Sequence, residues 1–356
     1  MAVPPAELTL ELRSQSRLDL IDVAQRVRES RGDLLSNYAK ALYCSYHTTA
    51  GYLEQSLSAR LGHNRDFLGR FVGLFGRIFP PGANYSHDQL HLRDELSEEQ
   101  RQNEPRNADS HLAFIGAGLR NCVVYLNRAD VPVYFIDLDG IHAGRSRPRQ
   151  TTVVGFNREQ RVRRLLIDVP VSAHTVDSVN LKDGRVGFFE QIGDLLDRHG
   201  IGKGRIDIAL APGERHAGLT VNEYETLLMK HDLAEVLRNP LRFMVEKGKH
   251  MWQDPRAIPT KTLDYAKYDL VQIVNELLDA LGVNESLIEK LVAKFIGVPA
   301  SRFLRMKRSV SLLVSDRDRP GKGAIVSGPY QSPILVQWNR APGGMRRLHV
   351  TLTSLE

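Results

Sequence analysis

The stretch SYHTTAGYLEQ, residues 45–55, is written again in diverged form as GERHAGLTVNEYE, residues 213–225. Each copy follows a run with the composition of a β-strand, 39–46 in one case and 205–210 in the other, and an amphipathic helical run precedes each. A duplicated α/β unit is the simplest account of this pattern. It places the sites of interest where strands end in these glycine-containing junctions.

Outward from the first copy, residues 8–12 alternate apolar and polar side chains as a half-buried strand does, and Asp19 is a candidate cap for a helix carrying Leu20, Val23, Ala24 and Val27. A second amphipathic run, 67–79, puts Phe67, Phe71, Leu74, Phe75 and Ile78 on one face, and Pro80, Pro81 and Gly82 stop it. Residues 83–110 are polar and lack a clear period, which predicts a long loop or short helices. A helix over 113–119 and strands over 122–126, 132–138 and 151–156 complete one α+β domain.

The charge-rich NREQRVRR, 157–164, is the expected joint, giving domains 1–157 and 158–356. The order then repeats: strand 165–171, helix 186–199, strand 205–210 and the second motif copy. Asp66 and Asp232 head helices at nearly the same spacing after each motif. The second half inserts a helical pair at about 263–296, with Leu270, Ile273, Val274, Leu277, Leu278 and Leu281 as one apolar stripe, Gly282 as a stop and Asn284 as a cap. Strands over 310–314, 334–338 and 348–352 finish the chain. The expected fold class is α+β, two tandem domains each with a mixed or antiparallel sheet packed with helices.

With 356 residues, 42% hydrophobic and 25% charged, the chain is long enough for two globular domains. Cys44 and Cys122 lie in apolar strand-like runs and read as reduced and buried rather than as a disulfide framework. The start, MAVPPAELTLELRSQSR, has no apolar signal core, and no apolar run approaches membrane-spanning length, so a cytoplasmic protein without a membrane span is expected. The net charge of +6 comes from scattered residues without a zinc finger, RNP motif or basic helix, so small anionic substrates are favoured over nucleic acid.

His47 ends a strand, His87 lies in NYSHD and His111 in NADSHL. Converging histidines can bind a divalent metal such as zinc or magnesium, with Asp88 or Asp109 orienting them, or supply a general acid and base. Singly, each is more often a packing residue. Glu214 takes the place of His47 when the Ala-Gly pairs are aligned, while Asn222 and Glu223 stand where the first half has Gln55 and Ser56. The halves look complementary, one supplying histidines and the other an Asn-Glu pair to a composite pocket; the alternative is that Asn222 and Glu223 only cap a helix. Arg145 and Arg147, and Arg346 and Arg347, precede terminal strands and are candidates to hold a phosphate or pyrophosphate, or are solvated turn residues. No Walker A or GxGxxG loop is present.

At these residues the chain resembles the YjbQ family, known as secondary thiamine phosphate synthases, which are small α+β proteins that form trimers. The family pattern is an HTSAGLTINE-type motif, an aspartate-led helix, a Tyr-x-His-Asp segment, an Asn-x-Asp-x-His-Leu segment, a GTWQ motif and an arginine-bearing last strand. The first half matches as His47-Thr48-Thr49-Ala50-Gly51, Asp66, Tyr85-Ser86-His87-Asp88 and Asn107-Ala108-Asp109-Ser110-His111-Leu112, with Arg145 and Arg147 near its end. The second matches as Ala217-Gly218-Leu219-Thr220-Val221-Asn222-Glu223, Asp232, Gly328-Pro329-Tyr330-Gln331 and Arg346-Arg347. Two tandem copies thus cover nearly the whole chain, and neither carries the full set: the first lacks the Asn-Glu pair and GTWQ, the second the motif histidine and the Asn-x-Asp-x-His segment.

The resemblance implies an enzyme that joins a pyrimidine pyrophosphate to a thiazole phosphate. His47, His87 and His111 would be metal ligands and, with Asn222 and Glu223, catalytic groups, while Arg145, Arg147, Tyr330, Gln331, Arg346 and Arg347 would bind substrate. It also implies a homo-oligomer, with a trimer as the family form. The alternatives are a metal-dependent hydrolase or lyase on a small anionic metabolite, and a non-catalytic ligand-binding or assembly protein.

Overall fold

Alternating side chains set the inner and outer faces of most strands: Gly204–Leu210 and Met345–Leu355 bury every second residue through much of their length. The computed structural model describes residues 3–238, 243 and 306–356. In the first half the strands are β1 (Ala6–Arg13), β2 (Asp19–Asp22), β3 (Lys40–Ser45), β4 (Ala50–Gly51), β5 (Cys122–Leu126), β6 (Tyr134–Asp137), β7 (Ile141–His142), β8 (Arg145–Ser146) and β9 (Pro148–Phe156). In the second they are β10 (Glu159–Pro170), β11 (Asp177–Asn180), β12 (Gly204–Leu210), β13 (Ala217–Asn222), β14 (Ser309–Ser315), β15 (Ala324–Val326), β16 (Ser332–Gln337) and β17 (Met345–Leu355).

The sheets repeat one plan. The first half has β1-β9-β3-β5 and β2-β6-β4; the second has β10-β17-β12-β14, with β15 added at the edge, and β11-β16-β13. All pairings are antiparallel. The repeat reaches single hydrogen bonds beyond the strands. Ser45 N donates to Asn121 O as Leu210 N does to Arg308 O, and Tyr52 N donates to Arg120 O as Leu219 N does to Lys307 O. The fold is α+β, as expected from the sequence.

The chain resolves into two compact units, each drawn from both halves of the sequence. The first takes residues 1–55, 118–224 and 306–356 and contains the sheets. Within it, Leu42, Cys44, Cys122, Val154 and Phe156 pack with Leu313 and Leu355, so residues of the first β1-β9-β3-β5 sheet share a core with residues of its second-half counterpart. Glu7 accepts from Lys203 Nζ at 2.8 Å and from Ser315 Oγ, a polar tie between the same two sheets. Cys44 and Cys122 face each other across β3 and β5, buried and free as thiols. The second unit contains helices at Arg65–Ile78, Glu98–Asn103 and Ala108–Ala117, together with a π-helical turn at Leu227–Asp232 that continues as Leu233–Arg238.

Several boundaries differ from the sequence reading for identifiable reasons. Asp19 lies in β2, and the helix Val23–Arg31 is capped by Asp22, whose carboxylate accepts from Gln25 N. Asn64 rather than Asp66 caps Arg65–Ile78, accepting from Asp66 and Phe67 amides, and Phe67, in the first turn, is 48% exposed with the Arg70 guanidinium over its ring. The stretch 157–164 is mostly strand: only Asn157 and Arg158 separate β9 from β10, whose charged side chains are tolerated on an exposed face. Residues 83–110 hold a short 3₁₀ turn and the helix Glu98–Asn103, closed by a capping box on Ser97. The expected helical pair at about 263–296 lies outside the described residues. Among the described residues no helix is long and apolar enough to cross a membrane.

Leu313 is fully buried where the two sheets share their core. Leu313→Ala should cost about 2–5 kcal/mol, read as a lower urea midpoint at unchanged slope.

Candidate functional site

The first motif copy leaves β3 at Ser45 and re-enters the small sheet at Ala50, so residues 46–49 form a loop between two strands. Second-half residues hold three of its carbonyls. Gln331 is 1% exposed and its Nε2 donates to Ser45 O at 3.0 Å and His47 O at 2.8 Å, while its Oε1 accepts from Gly328 N. Asn222, fully buried at the end of β13, donates through Nδ2 to Thr48 O at 3.3 Å. A Cβ at position 328 would collide with the Tyr46 carbonyl oxygen, so glycine is required for this close approach.

His47 is half-buried in that loop, and its Nε2 accepts from Gln150 N at 2.7 Å. Burial first, then the guanidinium groups of Arg149 and Arg147, depress its pKa to about 3. At neutral pH the ring is uncharged, and an accepting Nε2 leaves the proton on Nδ1. Arg149, 2% exposed, donates Nε and Nη2 to the two oxygens of Asp137 at 2.7 and 2.8 Å, and Nη2 also to Asp139 O. Arg147 pairs with Asp139.

The second half builds the same frame with different charges. Arg346, also 2% exposed, sends Nε to Gln337 Oε1 and Nη2 to Asn339 O, the counterparts of Asp137 and Asp139 O. Ala50 pairs with Asp137 in register as Ala217 pairs with Gln337. Arg347 N, the counterpart of Gln150 N, donates to Glu214 Oε1 at 2.8 Å, so Glu214 occupies the place of His47, as the motif alignment predicts.

In the second unit, His87 and His111 meet with ring centroids 5.3 Å apart, both buried. Glu225 Oε2 bonds His87 Nδ1 at 2.9 Å, and its carboxylate also accepts from the Leu227 and Leu228 amides. Burial raises that carboxyl, but the bonds from His87 and the two amides outweigh it and hold its pKa below the usual range. The Asp232 carboxylate accepts the Ser86 and His87 amides. Asp88 accepts from Ala108 N at the head of Ala108–Ala117, and burial pushes its pKa up to about 6. Buried, perturbed titratable groups of this density mark a candidate site.

The sequence-derived residues are thus distributed unevenly. His47, Asn222 and Gln331 meet at one loop; Glu223 follows Asn222, whose Oδ1 accepts the Glu223 amide. The helical turn after β13 is capped by Glu225, not by Asn222 or Glu223. Arg145 is exposed in β8, Tyr330 is 65% exposed, and Arg347 is an exposed partner of Asp168. Arg149, Asp137 and Glu225 escaped the sequence reading. Arg149 continues the spacing of Arg145 and Arg147 and was the available signal. Among the described residues no group of three or more His, Cys, Asp or Glu side chains is placed to hold a metal ion, and His47 belongs to one unit while His87 and His111 belong to the other.

Between pH 6.5 and about 3 the unfolded chain binds a proton at position 47 that the folded chain does not, so this group lowers stability as pH falls through that window. Imidazole ¹⁵N shifts of His47 should stay those of the neutral ring from pH 8 to about 4.5; a midpoint near 6.5 would contradict the arrangement.

No protein-family model matches the chain, and no curated protein matches it. Among solved structures, similarity is found to a YbjQ-like protein of unknown function from Sulfolobus solfataricus, 15% identical, over 55% of this chain and 99% of that one, with a TM-score of 0.29. An uncharacterized conserved protein of the YjbQ family from Clostridium acetobutylicum matches at 12% identity over 53% and 98%, with a TM-score of 0.26. A conserved hypothetical protein from Thermus thermophilus matches at 16% identity over 53% and 98%, with a TM-score of 0.21. The structures similar to this chain therefore include YjbQ-like proteins, each matched along almost its whole length to about half of it.

Proposed function

We propose that the chain is a tandem YjbQ-like enzyme of domains 1–157 and 158–356, acting on a small anionic or phosphorylated metabolite at the His47 loop. The observation that carries this reading is the hold of Gln331 and Asn222, motif residues of the second half, on the carbonyls of Ser45, His47 and Thr48 in the first. Each half lacks what the other brings, which is what a composite site requires.

Neutral His47 presents an Nδ1–H to substrate, serving as a hydrogen-bond donor or general acid. Arg147 and Arg149 favour negative charge beside it. Glu223, adjacent to Asn222, is the carboxylate we assign as base. The reaction to assay first is the joining of a pyrimidine pyrophosphate to a thiazole phosphate with loss of pyrophosphate; hydrolysis or elimination on a phosphorylated metabolite is the alternative. The assembly we propose is a homo-oligomer, with the trimer as its reference form.

A second reading rests on the buried hydrogen bond between His87 and Glu225, an orienting carboxylate on an imidazole as acid–base pairs require. His47→Ala should lower turnover about 10²–10⁴-fold with an unchanged circular dichroism spectrum and melting curve, whereas Glu225→Gln should leave the rate within a few-fold. Full activity in His47→Ala together with a rate collapse in Glu225→Gln would move the chemistry to the His87 cluster.

A further inference from the structure

The buried arginines Arg149 and Arg346 divide their nitrogens in the same way, and the difference between them exposes a ligand subsite. In each, Nε goes to residue 137 or 337 and Nη2 goes to the carbonyl of residue 139 or 339. The third nitrogen differs. Arg346 Nη1 donates to Glu214 Oε2 at 2.9 Å and to Arg215 O at 2.8 Å. The same Glu214 carboxylate takes the Arg347 amide on its other oxygen. In the first half His47 occupies the corresponding amide, that of Gln150, and Arg149 Nη1 makes no hydrogen bond among the described residues.

We propose that the second-half site is closed by its own Glu214 carboxylate, and that the first-half site takes an external oxyanion, phosphate or carboxylate, on Arg149 Nη1 beside His47. Glu214 is in this sense a built-in stand-in for the ligand. The exchange of residue types is consistent: where the frame carries Asp137 the loop carries a neutral histidine, and where the frame carries Gln337 the loop carries the carboxylate. Asp137 balances the buried Arg149 charge without covering Nη1, so the arginine is tolerated empty and keeps one donor for a ligand. The positive field of Arg149 and Arg147, which adds to burial in keeping His47 neutral, acts on a bound oxyanion in the favourable sense.

This subsite rests on the proposed reading of the His47 loop, and its test uses binding rather than turnover. Isothermal titration of the full chain with inorganic phosphate, and separately with succinate, should give one site per chain for at least one of them. A response to phosphate alone assigns a phosphorylated ligand, and a response to succinate alone assigns a carboxylate. His47→Glu recreates the second-half arrangement in the first and should weaken binding about tenfold to a hundredfold while remaining folded. Glu214→Ala should open a second site and raise the stoichiometry from one to two. Wild type that binds neither probe, His47→Glu that binds as wild type does, or a folded Glu214→Ala that stays at one would overturn the proposal. Wild type that binds phosphate but turns over no metabolite would uphold the subsite and remove the enzymatic reading alone.

Discussion

A guanidinium group that is 2% exposed must have its charge balanced and most of its donors met by the protein, and this requirement organises both halves of the chain. Arg149 at the start of β9 ties that strand to the end of β6 through Asp137 and to the following turn through the Asp139 carbonyl. Arg346 at the start of β17 does the same for β16 and the turn at Asn339. Each arginine thus links a strand of the larger sheet to a strand of the smaller one at the point where the motif loop crosses between them.

Between the halves the carboxylate serving the arginine has changed position. In the first it is part of the frame, Asp137; in the second it comes from the loop, Glu214, and the frame position is Gln337. One carboxylate per buried arginine is kept, because losing it would strand a buried cation at a cost of about 3–5 kcal/mol. The exchange leaves the first loop free to carry a histidine. Its carbonyls are gripped by Gln331 and Asn222, so the second half braces the first half's loop.

The second unit shows how differently a histidine can be used. Glu225 divides its carboxylate between the His87 ring and the Leu227 and Leu228 amides, while Asp232 accepts the Ser86 and His87 amides. The Glu225 carboxylate thereby fixes the helix start and the imidazole together. The three histidines that look equivalent in sequence are therefore two buried neighbours in one unit and one half-buried loop residue in the other.

Most strands, the α+β class, the repeat and the equivalence of His47 with Glu214 were legible in the sequence. Side-chain alternation and the aligned Ala-Gly pairs are local properties of the chain, and local properties are what a sequence displays. The short strands β2, β4 and β11 were not legible, since a few residues carry too little periodicity to stand out from a turn. Nor was the identity of the buried arginine. Arg145, Arg147 and Arg149 recur at intervals of two, which would give them one parity along an extended chain, so no pattern separates them; only the pairing of β6 and β9 with their neighbours decides which of them meets Asp137. By itself the sequence determined the α+β class and the two related strand-ending motifs. Tertiary structure alone decided which polar groups share a buried space, because that depends on register between paired segments whose bonded groups lie 9 to 286 residues apart, where a shift of one residue turns a side chain to the opposite face.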